Sequence, residues 1–264
     1  MELNTITLSD FTALATVIFE KRKASLPQEM MASGLFKVMN IPSQSGDTRK
    51  FTEIDTQEYA NNKAQSDQAS RATVQQGYTK TMEVKRVAAD IGISFEMRKF
   101  NKYPEVVSRL TKLADLAVNR RELDLQHRFT FGAATSYTDM DGDTVTIDTG
   151  DDYQLFYSAH TLNGSSTTYR NRLANNPQLS KGALEAAEKL SVEETYNHLG
   201  EKVTQSCDIL WTTDDPNTCN TAMEYLKSTS ELAAPNAGVV NVYKGKYKHV
   251  KLPYLATTAA GAPD

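Results

Sequence analysis

Cysteine is almost missing from this chain. Cys207 and Cys219 are the only two among 264 residues, twelve positions apart and outside any CxxC or Cys/His ligand spacing. That excludes a disulfide-stapled scaffold and a cysteine-built zinc site, and points to two thiols in a reducing compartment. Long hydrophobic runs are missing too. No stretch approaches the roughly 18 to 20 apolar residues that cross a bilayer, so no membrane contact is expected. The opening segment MELNTITLSDFTALATVIFEKRKASLP has no basic cluster ahead of an apolar core and no small-residue cleavage site, and is unlike a secretory signal. An excess of one charge is also lacking: 29 basic and 33 acidic residues leave a net charge of -4, which gives no general pull toward nucleic acid or polyphosphate. What remains is enough chain for one large domain or two small ones with a core that folds unaided.

Catalytic and metal motifs are equally scarce. There is no GxSxG elbow, and His127, His160, His198 and His249 form no HExxH or similar set. Ser158 and His160 would share a face if they lay on a strand, yet no carboxylate orienter or oxyanion donor is identifiable. The expectation is that His160 closes a strand and bonds to loop backbone. Asp139 to Asp148, DMDGDTVTID, resembles the start of a calcium loop. Gly142 falls at its fourth position and Gly150 at its twelfth, where the pattern wants glycine sixth and glutamate twelfth, so an acidic Gly turn between strands explains the same letters. GSSTT from Gly164 lacks the Lys-Ser/Thr ending of a phosphate cradle. Lys80, Lys85, Arg86, Arg98 and Lys99 form a basic stretch, but Glu83, Asp90 and Glu96 interrupt it, as on a solvated strand face. No catalytic, cofactor-binding or metal residues are assigned, and no enzyme activity or cofactor is expected.

The positive signals are architectural. Phe11, Leu14, Ala15, Ile18 and Phe19 recur at helical spacing between Ser9 and Ala24. GLFKVMNIPSQSGDTRKFTEI reads as a short extended segment that ends in a Pro, Ser, Gly and Asp cluster. Residues 55–82 hold only Tyr59, Val74, Tyr78 and Met82 as large apolar side chains and cannot build a core. They are flanked by strand-like alternation, KFTEI before and Tyr78 through Phe95 after, which predicts a long two-stranded arm. Pro104 opens a helical pattern through Val106, Val107, Leu110, Leu113, Ala114, Ala117, Val118, Leu125 and Phe129, stopped by Gly132, with Arg109, Lys112, Asp115, Arg120, Glu122 and Asp124 on its wet face. Beyond it come a turn, a short strand with Val145 and Ile147, and a strand through Leu155 and Tyr157, with Tyr153, Phe156 and Tyr157 in the core. SKGALEAAEKL predicts a helix capped by its serine, CDILWTT a strand, DDPNTCNTAMEYLKST a second helix, and VVNVYKGKYKHVKLPYL two strand-like runs about Gly245. The last nine residues, ATTAAGAPD, lack an anchor and are expected to fray.

Three stretches carry a family resemblance: SYTDMDGDTVTIDTGDDYQLFYSAHTLNGSSTTYRN, DILWTTDDPNTCNTAMEYLKS and GVVNVYKGKYKHVKLPYL. With the order of elements, they resemble the major capsid proteins of tailed bacteriophages with the Hong Kong 97 type fold, and more narrowly the Mu-like major head subunit family. The resemblance implies an α+β fold with an N-terminal arm at 1–45, an E-loop hairpin at 46–92, a P-domain at 93–164 containing a spine helix at 104–131, and an A-domain at 165–264. Ser158 and His160 would then hold the junction of the last two. Members of the family usually continue past the Pro-Tyr-Leu stretch with return strands, so a further C-terminal part is expected.

The implied function is self-assembly, as hexamers and pentamers, into the icosahedral shell around viral double-stranded DNA. The expected location is the virion, with the host cytoplasm during assembly. Partners would be other copies of the chain, scaffolding, portal and decoration proteins, and packaged DNA through weak non-specific contacts. Some related shells cross-link Lys to Asn, and Lys63 and Lys80 are available for that. The rival expectations are an encapsulin-like nanocompartment enclosing cargo, a hydrolase using Ser158 and His160, and an adhesive or tail protein with a β-rich body.

Overall fold

The computed structural model describes residues 8–26, 28, 36, 46–56, 59–100, 102–230, 239–255 and 257–258. The fold is α+β, a mixture of helices and short two-stranded sheets. Two compact units form: Met1–Lys37 with Lys85–Leu125, and Val38–Val84 with Gln126–Asp264. The extended segment expected ahead of Asp47 lies outside the described residues except for Phe36 and Gly46.

The first unit is helical. Helix α1 (Leu8–Ser25) turns Ala15, Ile18 and Phe19 partly inward, while Leu14 and Val17 stay exposed. Helix α2 (Phe95–Lys99) starts where Ser94 Oγ accepts the Met97 N–H at 3.2 Å, and its Met97 is buried. Helix α3 (Tyr103–Thr130) is the outsized rod that the spacing predicts: its 28 residues span about 40 Å at 1.5 Å each. Val106, Ala114 and Val118 form its buried stripe, and Arg22 of α1 reaches Asp115 at 2.7 Å. The wet face is less uniform than the letters suggest. Glu122 is buried, whereas Ala117 and Val107 are exposed.

The second unit begins with an antiparallel hairpin, β1 (Thr48–Thr56) and β2 (Val74–Glu83), in register from Thr48 opposite Glu83 to Thr56 opposite Val74. The expected strand through Phe95 stops at Glu83, because β1 starts opposite that residue and, among the described residues, 84–94 have no strand to pair with. Register slips between Thr52 and Ile54, so Gly77 and Tyr78 together oppose Glu53. A Cβ at Gly77 would collide with Glu53 Oε2; with only hydrogen there, the glutamate folds across β2 and accepts the Tyr78 N–H at 3.3 Å.

Strands β3 (Ser136–Thr138) and β4 (Thr144–Thr146) make a second hairpin, and β5 (His160–Thr161) pairs with β6 (Thr168–Tyr169). The strand expected through Leu155 and Tyr157 is instead a series of turns, with Asp152 at φ +62°. Asn171 takes the place of a neighbouring strand there. Its Nδ2 donates to Leu155 O at 2.7 Å, its Oδ1 accepts the Tyr157 N–H at 2.9 Å, and its own N–H reaches Tyr157 O at 3.2 Å. Tyr153, expected in the core, is exposed and stacks on Tyr157 at 4.6 Å.

Helix α4 (Lys181–Glu193) is capped by Ser180, whose Oγ accepts the Ala183 N–H at 3.2 Å. Strand β7 (Ile209–Thr212), helix α5 (Pro216–Lys227) and strand β8 (Lys248–Lys251) form a parallel crossover. Asp215 caps α5 and Pro216 fills its first turn, as the letters require. Cys219, Ala222 and Leu226 bury one face of α5, along with Val250 and Leu252. The run before Gly245 is turn rather than strand, held by Asn241, which donates to Ser228 O at 3.1 Å and accepts the Tyr243 N–H at 3.0 Å.

The last turns of α3 supply this unit's aromatic centre. Phe129 meets Trp211 edge-on at 5.0 Å, and Phe131 stacks on Tyr137 at 4.8 Å. His127 is buried and shares a hydrogen bond with Thr257 Oγ1 at 2.9 Å, while Gln126 accepts the Tyr254 N–H at 2.7 Å. The frayed tail expected after Leu255 is therefore corrected at Thr257, which is buried.

Candidate functional site

The chemistry of the second unit concentrates at the root of the β1–β2 hairpin. On β1 the side chains of Phe51, Glu53 and Asp55 alternate onto one face. After the bulge, Tyr78 and Lys80 of β2 join the same cleft wall. Opposite them runs the segment 148–163. Lys80 Nζ pairs with the Asp148 carboxylate, donates to Thr149 O at 3.4 Å and lies 3.8 Å from Asp152. Tyr78 and Thr161 share a hydroxyl bond at 2.8 Å, and Asn163 Nδ2 donates to Gln76 O at 3.0 Å. Gly150 permits the close approach, since a Cβ there would lie 2.7 Å from Tyr78 Cβ.

A further latch closes on Asp55. Its Oδ2 accepts the backbone N–H of His198 at 3.0 Å and also the His198 ring Nδ1–H. Burial works against ionisation of this carboxylate, but the backbone and ring donors of His198 outweigh it and hold its pKa below the usual value.

His160 and Asp151 form a buried imidazole–carboxylate pair with side chains only 2 % and 4 % exposed, so the pair braces the inside of the loop rather than meeting solvent. Nδ1 meets Asp151 Oδ2 at 2.9 Å, and the ring stacks on Tyr169 at 5.2 Å with Tyr157 edge-on. Asp151 also accepts the Thr161 N–H at 3.1 Å and the Thr149 hydroxyl. Burial raises its pKa, and these three donors more than reverse the effect, leaving it lowered. The orienting carboxylate that spacing did not reveal is thus Asp151, nine residues upstream. His160 opens strand β5 and bonds to a carboxylate, where a strand end and a backbone bond were expected.

Ser158 does not join this pair. It is exposed on a turn, and His160 Nε2 is buried with no hydrogen-bond partner, so no serine hydroxyl reaches the imidazole. The acidic run after Asp139 folds as a turn between β3 and β4. Asp139 Oδ1 accepts the N–H groups of Asp141 at 3.0 Å and Asp143 at 2.9 Å, and Gly142 takes φ +88°. Among the described residues no three His, Cys, Asp or Glu side chains are placed to hold a metal ion. Cys207 and Cys219 are both free thiols, the first exposed and the second buried.

Compared with known proteins, the chain matches no family model, no curated protein and no solved structure.

The basic stretch does not form one stripe. Lys80 is neutralised at the hairpin root, Lys85 and Arg86 are exposed after β2, and Lys99 lies over the Phe95 ring at 5.9 Å; the Arg98 side chain lies outside the described set. Lys63 is exposed in the hairpin tip. No described helix is long and apolar enough to cross a membrane.

Proposed function

We propose that this chain is a shell-forming subunit, a major capsid protein of the Hong Kong 97 type, in which copies related by closed symmetry enclose double-stranded DNA. One observation carries it: the hairpin is clasped only at its root, and every described residue from Tyr59 to Gln76 is exposed. The large apolar side chains there, Tyr59 and Val74, are 61 % and 63 % exposed, so the tip buries none of its own apolar surface in the body. Among the described residues twenty large hydrophobic side chains are exposed, against fourteen buried hydrophobic residues of any size, which favours burial by other copies.

In such an assembly the tip gains order on docking, an instance of binding coupled to folding. Each contact is weak alone, and many acting together hold a shell. A net charge of -4 suits a wall that does not grip phosphate and so lets DNA enter and leave. The 28-residue helix and the hairpin are compatible with the spine and E-loop of that fold. Scaffolding, portal and decoration partners and a virion location belong to the same proposal.

Electron microscopy and light scattering of the purified full-length protein test it. Closed icosahedral particles are the expected outcome, and their contents separate a DNA shell from an encapsulin-like compartment holding protein cargo. A monomer that persists at high concentration with residues 59–76 protected from hydrogen exchange would overturn it.

A further inference from the structure

Between the hairpin and the segment 149–169 lies a cleft of about 410 Å³, bordered by the rings of Phe51, Tyr78 and Tyr169, by Leu162, and by the carboxylates of Glu53 and Asp151. That volume takes a side-chain-sized ligand. Its charges are not balanced. Lys80 is held by Asp148 and has Asp152 nearby, so its cation is already neutralised. Asp151 is 4 % exposed, and its oxygens are engaged by Thr149, Thr161 and His160. Glu53, by contrast, is exposed and accepts only the Tyr78 N–H at 3.3 Å, with no cation beside it among the described residues. Phe51 already carries the Arg49 guanidinium 5.2 Å from its ring centroid, so this aromatic surface tolerates a cation. The Tyr169 phenol is raised by burial first, and then by the nearby Asp151 and Glu53 carboxylates.

We propose that this cleft binds one organic cation headgroup, a guanidinium or alkylammonium, with Glu53 as its counter-ion and the rings of Phe51, Tyr78 and Tyr169 as its walls. An anion would meet Glu53 and Asp151, and a neutral apolar group would displace water from the Glu53 carboxylate without supplying a counter-ion. A guanidinium satisfies both demands, since its fork matches a carboxylate and its plane lies against an aromatic face. The headgroup comes either from a small free cation or from an Arg or Lys of a second copy. The site stands on the cleft and does not depend on shell assembly.

The test titrates agmatine into the full-length protein in its dissociated form by calorimetry and saturation-transfer NMR, with butyrate and butanol as anionic and neutral controls. Saturable agmatine binding, absent for both controls and weakened at least tenfold in Glu53→Gln, is expected. Phe51→Leu, which keeps the apolar contact but removes the ring, should weaken it severalfold and covers the case that Glu53→Gln misfolds. If agmatine also blocks association of the subunits, the natural headgroup is a second copy's side chain; if particle size is unchanged, it is a free cation. Absence of saturable binding, or equal affinity in wild type and both variants, overturns the proposal. A failure to form particles would count against the shell and leave the agmatine result readable.

Discussion

Asp55 on β1 grips His198 twice, through its backbone N–H at 3.0 Å and through its ring, and so ties the hairpin to a loop 143 residues further along the chain. The sign of the resulting pH effect follows from the lowered pKa of Asp55. A carboxylate whose folded pKa is depressed contributes stability above its unfolded value and loses that contribution as pH falls through the folded one. The hairpin root should therefore loosen below about pH 4. Hydrogen exchange of the β1 and β2 amides across that range measures it, and Asp55→Ala should bring the same rise in exchange to neutral pH, by about 1–3 kcal/mol of local opening free energy. Equal protection in wild type and variant at pH 7 would refute the latch.

The buried His160–Asp151 pair and exposed Ser158 call for opposite outcomes. His160→Ala leaves a buried carboxylate short of a donor and should cost about 2–4 kcal/mol in chemical denaturation. Ser158→Ala should stay within about 0.5 kcal/mol of wild type. A large effect at Ser158 would mean that its hydroxyl does more than face solvent.

Gly150→Ala puts a methyl where Tyr78 Cβ lies 2.7 Å away. Overpacking of this kind costs about 1–3 kcal/mol, and here it should separate Tyr78 from Thr161. The readout is the melting temperature together with the Tyr78 environment in NMR. A variant as stable as wild type would show that the two segments are less close than 2.7 Å implies.

Asn171→Ala removes a side chain that stands in for a strand, freeing Leu155 O and the Tyr157 N–H. Because the site is open to water, the loss should be modest, about 1 kcal/mol by thermal melting. Asn171→Asp keeps the acceptor for the Tyr157 N–H but sets a carboxylate oxygen against Leu155 O, so it should cost at least as much as Asn171→Ala.

Much of this architecture is legible because its causes are local. Ser180 and the Asp215-Pro216 pair announce their helices within one turn, and the apolar spacing after Pro104 runs for the whole of α3. The hairpin shows as a polar stretch between alternating runs. What stays hidden depends on distant residues. Nothing near Thr257 reveals that His127 anchors it, and nothing near His160 announces Asp151, which arrives through a turn containing Asp152 in the left-handed region. Alternation after Glu83 misleads for the same reason: a strand is made by its partner, and β1 supplies none beyond Thr48. The cleft beside Glu53 depends on a bulge and on that side chain lying across the hydrogen of Gly77, which no periodicity encodes.

The exposed tip from Tyr59 to Thr73 has one more implication. Lengthening such a loop is cheap, about 0.6 kcal/mol for each doubling, so a foreign epitope could be grafted between Asn62 and Ala69 without disturbing the body. If the proposed shell forms, whether grafted copies still associate would gauge how much room its assembly leaves around the tip.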